Sequence, residues 1–80
     1  MEILKFYSDS CAPCKALSSF LESKGYNTTE VNLDETSELA VKYNIRGVPT
    51  LIKTENGQEV ERVTGFSAGV TDKVEALFNV

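Results

Sequence analysis

The chain has 80 residues, of which 41% are hydrophobic and 25% charged, and its net charge is −4 at pH 7. This length has room for one hydrophobic core, so we expect a single domain over residues 1–80. The composition excludes a disordered chain and a membrane span, and an acidic chain without a Lys/Arg run is not expected to bind nucleic acid.

Seven elements are predicted, in the order strand, helix, strand, helix, strand, strand, helix. Glu2–Tyr7 (EILKFY) is short and rich in β-forming residues, which predicts the first strand. A helix over Ala12–Lys24 follows, because apolar residues recur there at helical spacing. Gly25 lies where a glycine commonly ends a helix. Residues 26–33 (YNTTEVNL) are rich in β-branched residues and predict the second strand.

The second half of the chain begins with a short helix predicted over residues 36–43, with Thr36 or Ser37 as its cap. Two strands, over residues 50–54 and over Gln58–Thr64, flank an Asn-Gly pair. That pair supplies the positive φ angles that a tight hairpin turn requires. A β-hairpin is therefore predicted before the last helix.

The last helix is predicted over residues 67–78, with four apolar residues at helical spacing on one face: Val70, Val74, Leu77 and Phe78. The first half is then a strand–helix–strand unit, whose strands must be parallel. The second half is a hairpin followed by a helix. We predict an α/β fold with one four-stranded mixed sheet and helices on both faces.

The stretch SDSCAPCK holds both cysteines of the chain, Cys11 and Cys14. A structural zinc needs four protein ligands, and a chain without histidine could supply them only by sharing one metal across a dimer. A structural disulfide closing so short a loop would stabilise the fold by roughly 2 kcal/mol. No signal peptide is predicted at MEILKFYSD, so we expect a cytoplasmic protein, in which a stable structural disulfide is unusual.

A redox centre explains the cysteine pair better than a metal site or a structural disulfide does. Cys11 lies at the predicted N-cap of the first helix, where unpaired N–H groups and the helix dipole favour a thiolate. Cys14, one turn later, can reach back to the first sulfur. Cys11 would attack a substrate disulfide, and Cys14 would resolve the mixed disulfide by forming the Cys11–Cys14 bond.

A second motif, YNIRGVPT, places Pro49 before a predicted strand. On its own this is an ordinary trans proline at a strand start, where a missing N–H is tolerated. Together with SDSCAPCK, the ENGQEV hairpin and the glycine of TGFS, however, the motif resembles the thioredoxin superfamily. The resemblance covers nearly the whole chain and is closer to thioredoxin than to glutaredoxin.

The resemblance implies a minimal thioredoxin fold and a cis Val48–Pro49 peptide bond beside the dithiol. It further implies that Val48, Pro49, Gly65 and Phe66 line a groove that binds substrate backbone. From the residues alone, Gly65 could instead be a turn at a strand end, and Phe66 could belong to the core.

The activity implied is that of a thiol-disulfide oxidoreductase, an electron carrier that reduces protein disulfides. The expected electron donor is a thioredoxin reductase or glutathione. No bound cofactor and no metal are expected beyond the Cys11–Cys14 disulfide, and a small carrier of this kind is expected to be a monomer.

Two alternatives remain open on the sequence. A glutaredoxin-like, glutathione-dependent oxidoreductase would match the chain in size, but glutaredoxins usually show a paired glycine before the last helix, and TGFSAG lacks it. A redox-silent binding module on the same fold would use the groove without turnover.

The chain departs from the thioredoxin pattern most clearly in charge. Thioredoxins commonly carry a buried aspartate on the first of these strands, paired with a lysine on the next; the matching positions here are Lys5 and Glu30. A pair with exchanged signs would tune the dithiol, because a nearby cation favours a thiolate. The proton of Cys14 could pass to Glu30 or, alternatively, to water without assistance. The alternative is two unrelated solvated charges. Ser10 also stands where thioredoxins often have Trp.

Overall fold

The computed structural model describes residues 1–35 and 38–79. Its strands are β1 (Glu2–Tyr7), β2 (Thr29–Asn32), β3 (Thr50–Glu55) and β4 (Gln58–Thr64). Its helices are α1 (Ala12–Lys24), α2 (Glu38–Lys42) and α3 (Thr71–Phe78), with a short 3₁₀ turn at Ala68–Val70 before α3. The order of elements is the one predicted from the sequence.

The strands form one sheet in the order β2-β1-β3-β4. β1 pairs with β2 in parallel and with β3 antiparallel, and β3 pairs antiparallel with β4. The predicted four-stranded mixed sheet is therefore confirmed. Because β3 runs opposite to β1, the start of β3 and the end of β4 lie at the same edge of the sheet as the end of β1.

Two apolar clusters cover the two faces of the sheet. One joins buried residues of α1 and α3 to β3 and β4: Leu17, Leu21, Leu51, Val63, Val74 and Leu77. The other lies on the opposite face and includes Leu4, Phe6, Val31, Ile52 and Tyr43, with Leu39 of α2 packed against it. Helices thus cover both faces, as predicted, and the alternation of side chains along β1 divides it between the two clusters.

The second strand is shorter than predicted, since β2 begins at Thr29 and not at Tyr26. The backbone of Gly25 and Tyr26 instead ends helix α1. Gly25 adopts a left-handed conformation, and the Tyr26 N–H donates to Leu21 O at 3.0 Å. The Tyr26 ring stacks on Phe78 of α3 at 4.5 Å. Tyr26 therefore closes α1 and joins it to α3 before the chain enters the sheet.

The two later helices also differ at their ends from the prediction. α2 is described over Glu38–Lys42, and the predicted caps Thr36 and Ser37 lie outside the described residues. The predicted start of the last helix forms a 3₁₀ turn, in which the Val70 N–H donates to Ser67 O at 3.0 Å. Gly69 within this turn explains the difference, because glycine disfavours regular α-helix.

The hairpin turn between β3 and β4 depends on a glycine. Asn56 and Gly57 have φ angles of 55° and 82°, as the Asn-Gly pair predicts. We expect Gly57→Ala to lower the free energy of unfolding by about 1–2 kcal/mol, because a Cβ disfavours the left-handed region. Urea unfolding would measure this. Gly69→Ala is the matched control, since Gly69 has no positive φ and a Cβ there meets nothing within 4 Å; an equal loss in both variants would contradict the explanation.

Candidate active site

The two cysteines lie at the start of α1 and are joined by a disulfide, with their Cα atoms 5.2 Å apart. Cys11 is the N-cap residue, and its sulfur accepts a hydrogen bond from the Cys14 N–H at 3.1 Å. Pro13 lies in the first turn, where its missing N–H leaves no bond unmade. Both cysteines are buried in this oxidised form. The helix N-terminus thus faces the sulfur of Cys11, as the sequence predicts.

The loop before β3 approaches the same edge of the sheet. The Val48–Pro49 peptide bond is cis, which is the geometry that the resemblance implies and the residue pattern alone does not. Pro49 is fully buried. Its carbonyl accepts from the Gly65 N–H at 2.7 Å, and the Gly47 carbonyl accepts from the Thr50 hydroxyl at 2.7 Å. These bonds fix the backbone on both sides of Val48.

The loop after β4 brings the other two predicted groove residues to this edge. Gly65 follows Thr64, which pairs with Thr50 across the sheet, and its φ of 81° turns the chain. The half-buried Phe66 ring lies 5.6 Å from the ring of Phe20 and packs against the α1/α3 cluster. Part of this ring therefore belongs to the core, while the rest reaches the surface beside Gly65.

The Lys5–Glu30 pair predicted from the sequence is formed. The two residues are direct partners in the β1/β2 register, and the Lys5 Nζ lies 2.7 Å from Glu30 Oε1. The Lys5 side chain is 5% exposed and that of Glu30 is 49% exposed, so the ion pair runs from the interior to the surface. The interpretation as two unrelated solvated charges is therefore wrong.

The Lys5 ammonium has a further partner in α1, since it donates a hydrogen bond to the Ser18 hydroxyl. It also lies 5.5 Å from the centre of the Tyr7 ring. A cavity of about 310 Å³ opens here, and Lys5, Ser18, Glu30 and Cys14 all line it. The cation and the second cysteine thus share one cavity between α1 and the sheet.

Three polar residues hold the turn that leads from β1 to Cys11. The Asn32 amide donates to the Asp9 carboxylate at 3.0 Å, and the Asp34 carboxylate accepts from the Asp9 N–H at 3.0 Å. The Asn32 side chain in turn accepts from the Asp34 N–H at 2.9 Å. These bonds tie the segment before the cysteines to the end of β2.

Within residues 1–35 and 38–79, no group of three or more His, Cys, Asp or Glu side chains is arranged to hold a metal ion. Within the same residues, no helix combines the length and the apolar character needed to cross a membrane.

The thioredoxin family model matches residues 1–76. The chain belongs to the thioredoxin family. It is 31% identical over 75 residues to the SPbeta prophage-derived thioredoxin-like protein YosR of Bacillus subtilis, covering 92% of this chain and 94% of that protein. It is 37% identical over 68 residues to Thioredoxin-1 of Caenorhabditis elegans, and this match covers 79% of the chain but 59% of the relative.

Solved thioredoxin structures have the same fold. The reduced thioredoxin pre-protein of Schistosoma mansoni is 34% identical and superposes with a TM-score of 0.70, covering 94% of this chain and 76% of that one. The thioredoxin of Malassezia sympodialis gives a TM-score of 0.78 at 24% identity, over 98% and 74% of the two chains. The predicted thioredoxin fold is confirmed.

The family assignment bears on the chemistry of the cysteine pair. Thioredoxins are disulfide oxidoreductases, and the Cys11–Cys14 disulfide is the redox group that this class carries within the protein itself. The glutaredoxin alternative is not favoured.

Ser18 was not predicted as a site residue from the sequence, although its hydroxyl accepts a hydrogen bond from Lys5. A serine in an amphipathic helix is usually solvated, and nothing in the residue pattern distinguishes Ser18 from the exposed Ser19. The spacing of the residues could have indicated it, because Ser18 is four residues after Cys14 and residues four apart lie on the same face of a helix.

Proposed function

We propose that this protein reduces disulfide bonds in other proteins by dithiol exchange at Cys11 and Cys14. The observation that supports this most strongly is the position of the Cys11 sulfur at the N-cap of α1, bonded to a second cysteine one turn away. A helix N-terminus stabilises negative charge on such a sulfur. Cys11 is therefore the better attacking group of the two.

The reaction takes place in two exchange steps. The Cys11 thiolate attacks one sulfur of a substrate disulfide, and the other substrate sulfur leaves as a thiolate that takes up a proton. Cys14 then loses its proton and attacks the Cys11 sulfur of the mixed disulfide. The second substrate sulfur leaves, and the Cys11–Cys14 bond forms, so two electrons pass to the substrate.

The substrate segment is bound by Val48 and Pro49 together with Gly65 and Phe66. The carbonyls of Gly47 and Pro49 already accept hydrogen bonds within the protein. The backbone of Val48 between them is thus the group on this loop best placed to pair with an extended substrate strand, by the main-chain bonding used in strand addition. Phe66 supplies an apolar wall.

Lys5 and Glu30 tune this chemistry. A cation near the dithiol favours the thiolate, which stabilises the reduced protein and makes the disulfide a stronger oxidant. Glu30 opposes part of this effect, because its carboxylate lies 2.7 Å from the Lys5 nitrogen. The reduction potential is therefore expected to be modestly less negative than that of a typical thioredoxin, and Glu30 is a candidate acceptor for the Cys14 proton.

Lys5→Met tests the tuning role. Removing the cation should make the reduction potential more negative by roughly 30 mV, which corresponds to about 1.4 kcal/mol. Equilibration with glutathione redox buffers would measure it. Lys42→Met makes the same chemical change at an exposed site in α2 and should leave the potential unchanged. Identical potentials in wild type and Lys5→Met would remove Lys5 from the mechanism.

The cellular setting follows from the same proposal. Residues 1–80 act as one thioredoxin-like domain and as a monomer in the cytoplasm. Protein disulfides are its substrates, and a thioredoxin reductase, or glutathione, returns electrons to the Cys11–Cys14 disulfide. Nucleic acid and membranes are not partners.

A reduction assay distinguishes the proposed function from its alternatives. With dithiothreitol as electron donor, the protein should accelerate the reductive precipitation of insulin. A glutaredoxin-like enzyme would act faster on a glutathione mixed disulfide coupled to glutathione reductase. A redox-silent binding module would accelerate neither reaction, and that result would reject the proposed function.

A further inference from the structure

The two cysteine sulfurs have different electrostatic surroundings. Cys11 caps α1, and the Cys14 N–H donates to its sulfur at 3.1 Å, so charge on Cys11 is met by the helix N-terminus. Cys14 lies within the first turn of α1 and is 3% exposed. A thiolate at Cys14 is therefore shielded from water and requires another partner, because burial disfavours the charged form.

The Lys5 ammonium faces the cavity beside Cys14. Lys5 and Cys14 both line this cavity, and its other titratable side chains are Tyr7, Asp9, Lys15 and Glu30. Lys15 is exposed, so Lys5 is the buried cation among them. Lysine is a point charge on a flexible four-carbon stem, so its effect depends on where its end is held. Two groups hold it here: Glu30 on the sheet side, near the surface, and the Ser18 hydroxyl on α1.

Ser18 is the contact that the ammonium makes with the helix that carries Cys14. Residues four apart lie on one face of a helix, so Ser18 is one turn after Cys14 along the cavity wall. Without the serine oxygen, the ammonium keeps Glu30, whose half-exposed carboxylate lies on the β2 side, and the Tyr7 ring 5.5 Å away. Ser18 and Glu30 thus hold the same cation from different elements.

We propose that Ser18 is a positioning residue of the resolving step, and that its hydroxyl holds the Lys5 ammonium near Cys14 so that Cys14 forms its thiolate readily. This inference rests on the proposed dithiol exchange. Cys14 gives up its proton to the half-exposed Glu30 carboxylate, or to solvent beside it, and its thiolate attacks the Cys11 sulfur. The bond between Cys11 and the substrate sulfur breaks, and the departing thiolate takes up a proton.

The two exchange steps can be separated in time with a symmetrical aromatic disulfide such as dithiobis(nitrobenzoate). Attack by Cys11 releases the first coloured thiolate at a rate that rises with reagent concentration. Attack by Cys14 on the mixed disulfide releases the second at a rate independent of reagent concentration. Stopped-flow absorbance on the reduced full chain, over a range of pH, therefore reports each cysteine separately.

Ser18→Ala should slow the second release by about three- to tenfold at neutral pH, the range expected for one lost hydrogen bond. The second release should also reach half of its maximal rate at a higher pH than in wild type, while the first release keeps the wild-type rate. Ser19→Ala, the matched change at the next and exposed position of α1, should leave both rates unchanged. Ser18→Thr retains a hydroxyl and should restore the second rate.

A double-mutant comparison tests whether Ser18 acts through Lys5. On a Lys5→Met background, Ser18→Ala should have no further effect on the second release; independent, multiplying effects would overturn the proposal. An unchanged second release in Ser18→Ala, or equal slowing of both releases, would also overturn it. If wild type shows only a first release and does not reduce insulin, the proposed function fails, an outcome distinct from failure of the Ser18 role.

Discussion

Cys11→Ser is expected to abolish disulfide reduction, lowering the insulin reduction rate by about a thousandfold or more, as removal of a catalytic nucleophile commonly does. A serine hydroxyl stays protonated at neutral pH, and a helix N-terminus is too weak to ionise it. The fold should persist, because the short loop closed by the disulfide adds only roughly 2 kcal/mol in the chain-entropy model.

Cys14→Ser is the matched variant and should fail at a different step. Its Cys11 thiolate still attacks a disulfide, but no second thiol resolves the product, so a mixed disulfide accumulates and mass spectrometry can detect it. Cys11→Ser should form no such species. Accumulation of the mixed disulfide in Cys11→Ser instead of Cys14→Ser would show that Cys14 is the attacking cysteine, and it would contradict the mechanism.

Phe6→Ala is expected to have the largest effect on stability. The Phe6 side chain is fully buried in the cluster on the α2 face, and its ring meets Tyr43 edge-on with centroids 6.3 Å apart. Replacing a buried Phe by Ala typically costs about 3–5 kcal/mol. The total free energy of unfolding of a domain is about 5–15 kcal/mol, and small domains bury a smaller fraction of their surface than large ones do. Urea unfolding should show a large fall in the midpoint.

Val60→Ala provides the surface comparison for that measurement. Val60 lies on β4 and is 54% exposed, so its truncation should change the free energy of unfolding by less than about 0.5 kcal/mol. A small loss for Phe6→Ala, similar to that for Val60→Ala, would mean that the α2-face cluster contributes little to stability.

Local patterns were sufficient to predict the elements whose ends have local causes. The bounds of β1 and α1 agree with the prediction because a β-rich run, an N-cap and a C-terminal glycine mark them in the sequence. The start of β2 could not be predicted, since Tyr26 is withdrawn from the sheet by its ring contact with Phe78, 52 positions away in the chain. Such a contact leaves no periodic signal.

The site divides in the same way. The role suggested for Cys11 follows from its spacing to Cys14 and its place before a helix. The cis bond at Pro49 came from the family resemblance, because the residue pattern alone favours a trans proline. The placement of Ser18 beside Lys5 required the register of β1 and the position of α1 over it, neither of which a single sequence specifies.

The reduction potential of the Cys11–Cys14 pair is the most direct test of the claim that this protein donates electrons to protein disulfides. Equilibration of the full chain with graded glutathione buffers, read by thiol alkylation and mass, would give it. The proposed mechanism predicts a value between about −270 mV, as in thioredoxin, and about −200 mV. A strongly oxidising value near about −120 mV would contradict it, because the disulfide form would then accept electrons from most protein thiols.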